Sequence, residues 1–367
     1  MAKIGISADF LKPGKVGGAE YFFKNLVLAM DSSLPKKDTL TIFIRPNVIS
    51  GLKHIKVLNS KWSAKSRFIQ ELLFYIWYGK KFDVIIFSNY YTPLWVKKSK
   101  IITIIYDAQY KHLPFNFSLL KRFWLNISHR LTLMMADKVV VISNFVKTDL
   151  IKLYGNYSSS KIEVVYLPIS WDRFSCIDKN MSLPKRYILS VAAQYSHKNL
   201  VTLIKAYNKV RINFPDVKLI LAGQFAKNLV GVVNTIDLNQ IVNDLNLQTD
   251  VIFTGHISDE ELGRLYQDAD VFVFPSLFEG FGMPPVEALG FGLPVITTKC
   301  ASLPEVTLGM AIYLENPLDI EEMSNCIMKI LSNPTIYRKS EEQIRIIKNT
   351  YSPATIAQKY LEICNAK

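Results

Sequence analysis

The sequence contains little cysteine and no long hydrophobic run. Its four cysteines, Cys176, Cys300, Cys326 and Cys364, are scattered along 367 residues, which excludes the close spacing of a zinc or redox motif. No uncharged apolar run reaches the roughly 18 residues of a membrane-spanning helix. Residues 1–7 have the pattern of a strand rather than that of a signal peptide. We therefore expect reduced cysteines in a cytoplasmic protein, or in one bound peripherally to the inner face of a membrane.

Acidic residues are scarce in the N-terminal part of the chain. Residues 1–150 contain 23 Lys and Arg against 9 Asp and Glu, whereas the net charge of the whole chain is +13. The first 150 residues therefore sum to +14 and the remaining 217 to −1, so all of the excess positive charge lies in the first part. Such asymmetry favours an anionic partner there, either an anionic membrane surface or nucleic acid. A solvated basic face without a partner is the alternative.

Short β-branched and aromatic runs alternate with longer helical patterns along the whole chain. They predict twelve buried parallel strands, at residues 3–8, 39–44, 84–88, 101–106, 138–143, 162–166, 187–191, 218–222, 251–254, 271–275, 294–297 and 311–314. The alternation of strand and helix places helices on both faces of a parallel sheet, and so many strands exceed one small sheet. We predict an α/β protein with two Rossmann-like parallel-sheet domains.

The predicted break between the domains follows the strand at 162–166, where a proline and a polar, irregular stretch begin. We predict an N-terminal domain of residues 1–168, on which a C-terminal helix at about 350–367 packs back, and a second domain of residues 169–349. Ligands of open α/β sheets bind beyond the carboxyl ends of the strands. Two sheets facing a central cleft would therefore carry their chemistry in loops that follow strands.

The loop after the predicted strand 271–275 has the composition of an anion-binding site. Gly280 and Gly282 allow the backbone to approach a ligand closely, and Pro284 or Pro285 suits the first turn of a helix. The free amides at that helix start would bind a diphosphate. Glu279 in the loop and Glu287 on the helix have no apolar role, and a helical carboxylate can accept hydrogen bonds from a ribose diol. Two solvated surface glutamates are the alternative.

Glu279 and Glu287, separated by seven residues, resemble the paired-glutamate motif of the retaining glycosyltransferase family 4, the group 1, mannosyltransferase-like enzymes of GT-B architecture. Further stretches that resemble this family in the same order are residues 136–144, 197–199, 254–262, 266–276 and 302–306. The resemblance covers nearly the whole chain. It implies two Rossmann-like domains facing a central cleft and a hexosyltransferase that uses a nucleotide-sugar donor.

The resemblance also implies roles for individual residues. Glu287 would bind the ribose, Glu279 would contact the transferred sugar at the catalytic centre, and Lys198 would neutralise the departing diphosphate. The other donor-binding residues that it implies are His197, Asn199, Gly280, Phe281, Gly282, Met283, Pro284, Gly255, His256, Ile257 and, in the glycine-rich turn after the first strand, Gly17 and Gly18.

Two positions depart from the family pattern. Tyr106-Asp107 stands where many members have His-Asp, and we expect both residues at the catalytic centre, with Tyr106 able to donate a hydrogen bond. Ala193 replaces an arginine that many members place beside the phosphate lysine. His197 or Gln194 are candidates for the missing phosphate contact, although neither is a fixed positive charge.

We expect no metal ion and no other cofactor. Asp268-Ala-Asp270 has the residue pattern of the Asp-x-Asp metal motif of the other glycosyltransferase architecture. It precedes the strand 271–275, however, and therefore lies at the edge of the sheet away from the expected site. Asp268 is better interpreted as the end of a helix at 260–267.

The acceptor side of the N-terminal domain contains two helices, at 61–81 and 119–135, that mix Lys and Arg with Trp and Phe. This mixture is typical of helices in a lipid interface, and many family members act on lipid-linked glycans. The family resemblance implies a UDP- or GDP-linked sugar donor and a glycan or lipid-linked glycan acceptor. The basic, aromatic helices add an anionic membrane surface as an expected partner, and we expect no nucleic acid. Alternatively, the aromatic residues of these helices belong to the core of the domain.

The predicted reaction moves a sugar from a nucleoside-diphosphate sugar to a hydroxyl acceptor in bacterial-type polysaccharide or glycolipid synthesis. A nucleotide-sugar epimerase or a sugar phosphorylase of the same architecture is one alternative. A catalytically silent protein that binds a nucleotide-sugar or nucleic acid is another. An oxidoreductase is disfavoured because no Gly-x-Gly-x-x-Gly follows the first strand. The base, the sugar and the acceptor stay open at this point.

Overall fold

The chain folds into two compact units in a computed structural model that describes residues 2–8, 18–45, 48–59, 76, 79–88, 99–155, 159–176, 181–225 and 237–366. Unit 1 comprises Met1–Lys111, Leu119–Ser170 and Tyr351–Lys367, and unit 2 comprises His112–Ser118 and Trp171–Thr350. The divisions after Ser170 and Thr350 lie close to the predicted boundaries. The short segment His112–Ser118, in contrast, was not expected to belong with the second half of the chain.

The strands follow one another along the chain as β1 (Lys3–Ser7), β2 (Thr39–Ile44), β3 (Lys56–Asn59), β4 (Val84–Phe87), β5 (Lys100–Ile105), β6 (Lys138–Val141), β7 (Ile162–Val164), β8 (Arg186–Val191), β9 (Val217–Ala222), β10 (Val251–Gly255), β11 (Val271–Phe274), β12 (Val295–Thr298) and β13 (Ile312–Leu314). All twelve predicted strands are present. The additional strand is β3, whose sequence Lys-Val-Leu-Asn is too short and polar to resemble a buried parallel strand.

The helices are α1 (Gly18–Ser33), α2 (Gln109–His112), α3 (Leu119–Met135), α4 (Asn144–Tyr154), α5 (Leu200–Asn213), α6 (Leu238–Asp244), α7 (Asp259–Asp268), α8 (Met283–Gly290), α9 (Leu303–Val306), α10 (Ile320–Ser332), α11 (Pro334–Tyr337), α12 (Glu341–Thr350) and α13 (Pro353–Asn365). Gly17 lies outside the described residues. So does most of the helix expected at 61–81, of which only Ile76 and Gly79–Lys81 are described.

Each unit is built on one parallel sheet. The strand order is β3-β2-β1-β4-β5-β6-β7 in unit 1 and β10-β9-β8-β11-β12-β13 in unit 2. In both sheets the order reverses once, between β1 and β4 in unit 1 and between β8 and β11 in unit 2. Loops that follow two such neighbouring strands diverge to opposite faces, which leaves a crevice for a ligand. The fold therefore places the loops after β8 and β11 side by side.

The C-terminal helix α13 packs against α1 in unit 1. Its buried face includes Ile356, Tyr360 and Leu361. The ammonium of Lys100 donates hydrogen bonds of 2.6 Å to the carbonyl oxygens of Ile363 and of Ala366. A cation at this position satisfies carbonyls that have no partner within the helix and complements the helix dipole.

Helix α3 presents a broad apolar surface to solvent at its N-terminal end. Leu119, Leu120, Phe123 and Trp124 are 78%, 83%, 67% and 45% exposed. The buried side of the helix consists of Ser128, His129, Thr132 and Leu133. The aromatic residues of this helix are therefore not core residues. Within the described part of the chain, no helix combines the length and apolar character that crossing a bilayer requires.

Helix α8 is held at its C-terminal end by a tryptophan. A Cβ atom at Gly290 would overlap the ring of Trp171, and that ring also lies 5.6 Å from the ammonium of Lys348. We expect Gly290→Ala to lower the free energy of unfolding by about 1–2 kcal/mol, because overpacking outweighs the higher helix propensity of alanine.

Urea denaturation of the variant checks this expectation. In a Trp171→Leu background the smaller side chain leaves room for the new methyl group, so the same Gly290→Ala change should be neutral or stabilising. An equal loss of stability in both backgrounds would contradict the proposed contact.

Candidate functional site

The loops after β8 and β11 bring Lys198 and Glu279, two of the predicted site residues, together. Lys198 ends a short 3-10 turn after β8, and its ammonium lies 2.5 Å from the Oε1 atom of Glu279 in the loop after β11. The two side chains are 16% and 13% exposed. The ammonium also lies 5.2 Å from the centre of the Phe274 ring. A largely buried cation and carboxylate therefore occupy the switch point of the sheet.

Two hydrogen bonds to the same carbonyl group join these two loops. The amide of Leu277 donates a 2.8 Å hydrogen bond to the carbonyl of His197, and the Ser276 hydroxyl donates a 3.2 Å bond to the same oxygen. The segment His112–Ser118 contacts both loops as well. The His112 ring stacks on Phe278 at 4.9 Å, and the Ser196 hydroxyl lies 3.3 Å from the Oδ1 atom of Asn116.

The loop that leads into α8 contains a glycine in the left-handed region, and the hydroxyl of one serine contacts two of its carbonyl groups. Gly282 has φ +97°, and a Cβ atom there would lie 2.8 Å from Leu303, so glycine is required. The hydroxyl of Ser302 lies 2.9 Å from the carbonyl oxygen of Glu279 and 2.8 Å from that of Phe281. Ser302 belongs to a family-like stretch, but the sequence alone assigned it no role.

The residues expected around this helix start are where the motif predicts them. Gly280 and Phe281 are buried, and Met283 and Pro284 are half-buried in the first turn of α8. The hydroxyl of Tyr266 lies 3.5 Å from the carbonyl of Pro284. Pro284 and Pro285 have no N–H, so Met283 and Val286 supply the amides of the first turn of α8, beside the loop that holds Glu279.

Glu287 lies on α8 as predicted, but its carboxylate is only 4% exposed and is held by two partners. Nη2 of Arg173 lies 2.6 Å from its Oε1 atom, and the Tyr266 hydroxyl donates a 2.9 Å hydrogen bond to Oε2. Nη1 of Arg173 also pairs with Asp259 at 3.0 Å. Burial raises the pKa of Glu287, while Arg173 and Tyr266 act in the opposite direction.

Sequence reasoning missed the pairing of Arg173 with Glu287 and with Asp259. Arg173 lies in the 3-10 turn Trp171–Phe174, inside the stretch that resembles an irregular linker. Tyr266 was noted only as the first residue of a family-like stretch. The available signal was the pair of large aromatic residues, Trp171 and Phe174, that flank Arg173 in this stretch.

His197 and Asn199 flank Lys198 but serve the local structure. The His197 ring is buried, stacks on Tyr195 at 5.5 Å, and has a pKa lowered to about 4 by burial and by the neighbouring Lys198. It is therefore neutral at pH 7 and adds no positive charge for a phosphate. Asn199, at φ 57°, donates from Nδ2 to the carbonyl of Pro317 at 2.7 Å and accepts from the Thr202 hydroxyl at 2.6 Å.

The loop after β10 is shaped by a glycine and by the start of α7. Gly255 has φ +70°, His256 is exposed and Ile257 is half-buried. Ser258 and Glu261 form a reciprocal capping box, with Ser258 N to Glu261 Oε2 at 2.7 Å and Glu261 N to Ser258 Oγ at 3.2 Å. The backbone of this loop is thus fixed, whereas the His256 side chain is open to solvent.

In unit 1, Tyr106 and Asp107 follow β5. The Tyr106 hydroxyl donates a 3.1 Å hydrogen bond to the carbonyl of Ser88, and its ring packs edge-on against Phe22 at 5.6 Å. Asp107 accepts a 3.0 Å hydrogen bond from the amide of Gln109. Gly18 begins α1. The Tyr106 hydroxyl is therefore engaged within its own unit, and the catalytic roles of Tyr106 and Asp107 stay predictions.

The Asp-x-Asp sequence lies in ion pairs away from the loops described above. Asp268 is the last residue of α7 and pairs with Arg264 at 2.8 Å. Asp270 pairs with Arg186, at the start of β8, at 3.0 Å. Among the described residues, no group of three or more His, Cys, Asp or Glu side chains is arranged to hold a metal ion.

Comparison with known proteins agrees with this geometry. A family model described as Glycosyl transferases group 1 matches residues 177–352, and one described as Glycosyltransferase Family 4 matches residues 16–173. The O-antigen chain mannosyltransferase RfbU of Salmonella typhimurium is 29% identical over 290 residues, which are 79% of this chain and 76% of that protein. The serotype-specific mannosyltransferase WbdA of Escherichia coli is 29% identical over 217 residues, or 56% of this chain. The match spans only 26% of WbdA.

A solved structure confirms the predicted fold. Sucrose-phosphate synthase from Thermosynechococcus elongatus superposes with a TM-score of 0.79 at 17% identity, covering 99% of this chain and 98% of that one. The two Rossmann-like parallel sheets are thus those of the GT-B architecture. The two family models leave only residues 1–15, 174–176 and 353–367 unmatched. The chain therefore belongs to glycosyltransferase family 4, the group 1 glycosyl transferases.

Proposed function

We propose that this protein is a hexosyltransferase that moves a sugar from a UDP- or GDP-linked donor to a hydroxyl group of a glycan or lipid-linked glycan, with retention of configuration. The observation that carries the proposal is the Lys198–Glu279 pair beside the start of α8, with Glu287 one turn further along the helix. Because RfbU and WbdA are mannosyltransferases, mannose is the first candidate for the sugar. Assembly of a bacterial surface polysaccharide is the corresponding process.

Each residue of the pair has a task in this reaction. The diphosphate accumulates negative charge as the sugar leaves, and Lys198 with the first amides of α8 would stabilise that charge. A phosphate that binds Lys198 competes with Glu279 for the ammonium. The Glu279 carboxylate is then released to accept a hydrogen bond from a sugar hydroxyl. We assign the charge stabilisation to these groups and propose that transfer requires no metal ion.

The family resemblance implies front-face attack, in which the acceptor hydroxyl approaches the sugar from the side of the departing phosphate. Asp107 and Tyr106 are the residues proposed to lie on the acceptor side of this reaction. A nucleotide-sugar epimerase, a phosphorylase or a silent nucleotide-sugar binder could use the same donor residues. These alternatives differ in what they require besides the donor.

Nucleotide binding is the first test. At a ligand concentration of about 100 times Kd, a nucleotide that binds only the folded protein adds about 2.7 kcal/mol of stability, which corresponds to a rise of about 5–10 °C in the unfolding midpoint. In a thermal-shift panel of UDP, GDP, ADP and their sugars, we expect such a rise for UDP or GDP and their sugars. No rise with any nucleotide would contradict the proposal.

Product analysis with the donor found in this way separates the alternatives. We expect nucleotide release that depends on a hydroxyl acceptor, persists in EDTA and gives a product with the donor's anomeric configuration. Conversion of the sugar without an acceptor would indicate an epimerase, and dependence on inorganic phosphate would indicate a phosphorylase. Binding without turnover would indicate a silent protein.

Replacement of each glutamate by glutamine should change a different constant, kcat for Glu279 and the nucleotide Kd for Glu287. Glu279→Gln should lower kcat about 100-fold or more, because its contact strengthens at the reaction centre, and should leave the nucleotide Kd within about threefold. Glu287→Gln should raise the nucleotide Kd about tenfold or more, because hydrogen bonds to a charged group are lost. Initial rates and calorimetric titration measure the two effects.

Glu315→Gln is the matched control, since the Glu315 side chain is 73% exposed and pairs with Lys299 on the surface. It should leave both kinetic constants unchanged. Equal losses of kcat and of nucleotide affinity in Glu279→Gln and Glu287→Gln would contradict the division of roles.

We further propose that the exposed end of α3 binds an anionic membrane surface. The apolar side chains Leu120 and Phe123 are 83% and 67% exposed, and Lys121 on the same turn is exposed to solvent. Insertion of apolar side chains and attraction of the basic N-terminal part to anionic lipid would act together. Such binding would bring the protein to the surface that contains a lipid-linked acceptor.

Sedimentation with liposomes tests this surface. We expect binding to vesicles of phosphatidylcholine with phosphatidylserine at low salt, and weaker binding at 1 M salt because the charges are screened. Leu120→Ser with Phe123→Ser should reduce it about tenfold, since two buried side chains are lost. Ile212→Ser, which removes a 76% exposed residue of α5 in unit 2, should have no effect. Equal binding of all variants would contradict the role of α3.

A further inference from the structure

Glu287 is one member of a chain of side chains that joins three segments of unit 2. The carboxylate of Asp259, the guanidinium of Arg173, the carboxylate of Glu287 and the hydroxyl of Tyr266 follow one another at 3.0, 2.6 and 2.9 Å. We propose that Arg173 is a positioning residue for donor binding, which holds the Glu287 carboxylate in place for two adjacent ribose hydroxyls. This inference rests on the proposed function, because it takes Glu287 as the ribose ligand.

The turn that carries Arg173 is fastened to α8 at both ends. Phe174 is buried and packs edge-on against Tyr266 at 6.0 Å and against Phe291 at 5.1 Å. Trp171 packs where Gly290 leaves space. The Arg173 guanidinium also lies 4.2 Å from the centre of the Phe174 ring. These contacts restrict the rotamers of Arg173, so its two arms are directed before any ligand binds.

Arg173 and Tyr266 together use only part of the hydrogen-bonding capacity of the Glu287 carboxylate. A carboxylate has about four acceptor positions, two on each oxygen. Arg173 occupies one position on Oε1 and Tyr266 one on Oε2. One position on each oxygen therefore stays available for a neighbouring pair of hydroxyl groups. A carboxylate free to rotate would not keep these two positions on the same side of α8.

The charge of Arg173 matters as much as its shape. A carboxylate that is 4% exposed favours its protonated form unless a cation lies beside it. Burial raises the pKa of Glu287, and Arg173 is the strongest opposing influence. Loss of Arg173 would therefore favour a protonated carboxyl, which has a weaker acceptor oxygen and a hydroxyl that competes for the ribose.

The second arm of Arg173 extends the effect to another part of the donor site. Asp259 is the first residue of α7 and directly follows the loop Gly255–Ser258, in which Gly255, His256 and Ile257 are predicted to bind the donor. Asp259 is 45% exposed, so this arm contributes less to stability than the buried arm. Its consequence is geometric, since one guanidinium connects the ribose residue with the start of the helix that follows this loop.

A purely structural ion pair that fastens the turn Trp171–Phe174 to α8 is the competing explanation. Both explanations predict some loss of stability and of nucleotide affinity when Arg173 is replaced. Only a positioning role predicts that the loss concerns the ribose hydroxyls. The discriminating quantity is the ratio of the Kd of a 2′-deoxynucleoside diphosphate to that of the matching ribonucleotide.

The experiment measures this ratio by calorimetry with UDP or GDP, whichever binds, and with its 2′-deoxy counterpart. In the original protein we expect a ratio of about ten or more, because a hydrogen bond to a charged group is lost. In Arg173→Gln the ratio should fall to within about twofold of one, with the deoxynucleotide affinity nearly unchanged. Glu287→Gln should show the same collapse.

Two further variants keep the test decisive if Arg173→Gln folds poorly. Arg173→Lys retains a charge but cannot reach two carboxylates in a fork, and should lower the ratio about threefold or more. Arg186→Gln is the matched control, since Arg186 also pairs with two aspartates in unit 2. Arg186 lies at the start of β8, whereas the loop with Lys198 follows the end of that strand. Arg186→Gln should leave the ratio unchanged, with circular dichroism confirming that each variant is folded.

A pH series adds a readout that a structural role would not change. The ionisable groups around Glu287 are Arg173, Tyr266 and Asp259. Protonation of the phosphate changes the Kd of both nucleotides equally, so it does not change their ratio. Because removal of Arg173 raises the pKa of Glu287 further, the charged carboxylate is lost as pH falls and regained as pH rises. The ratio should therefore recover with rising pH in Arg173→Gln and stay nearly constant in the original protein.

The possible outcomes separate this inference from the proposed function. If Glu287→Gln abolishes the ribose preference and both Arg173 variants retain it at all pH values, the positioning role is overturned and the ribose role of Glu287 stands. If the original protein binds both nucleotides equally, the ribose role itself is wrong, and this inference is overturned with it.

Discussion

The parallel pairing of β8 with β11 is the constraint on which the candidate site depends. Parallel strands end at one edge of a sheet, so the loops that follow them come together although Lys198 and Glu279 are 81 residues apart. The intervening chain adds β9 and β10 on the other side of β8, and this reversal opens the crevice. Without it, the ammonium and the carboxylate would have no reason to meet beside the start of α8.

The burial of Glu287 imposes a second constraint. A carboxylate withdrawn from water must be paired and hydrogen-bonded, and the structure meets this need with Arg173 and Tyr266. The same pairing that stabilises the folded state also orients the carboxylate. Arg173 in turn is oriented by aromatic packing that begins directly after the division between the units. The short turn Trp171–Phe174 therefore packs on α8 and pairs with Glu287 rather than forming a solvated linker.

The strands were the most predictable part of the fold, because buried parallel strands are continuous apolar runs with a clear signal. The edge strand β3, Lys56–Asn59, was missed because it is only four residues long and two of them are polar. The extent of α3 was also predictable from its sequence. Its orientation was not, since the same pattern of Phe123 and Trp124 fits either the core or a solvent-facing surface, and only packing decides between them.

The sequence by itself determined the family, the two sheets and the motif from Glu279 to Glu287, because strand patterns and glycine-rich turns are local properties of the chain. The tertiary structure decided what each charge contacts. Arg173 meets Glu287 across 114 residues, and no spacing in the sequence encodes that distance. His197 beside Lys198 loses its charge for the same kind of reason, since burial, not sequence, sets its pKa. Side-chain electrostatics depend on distance and solvent exposure, which exist only once the chain has folded.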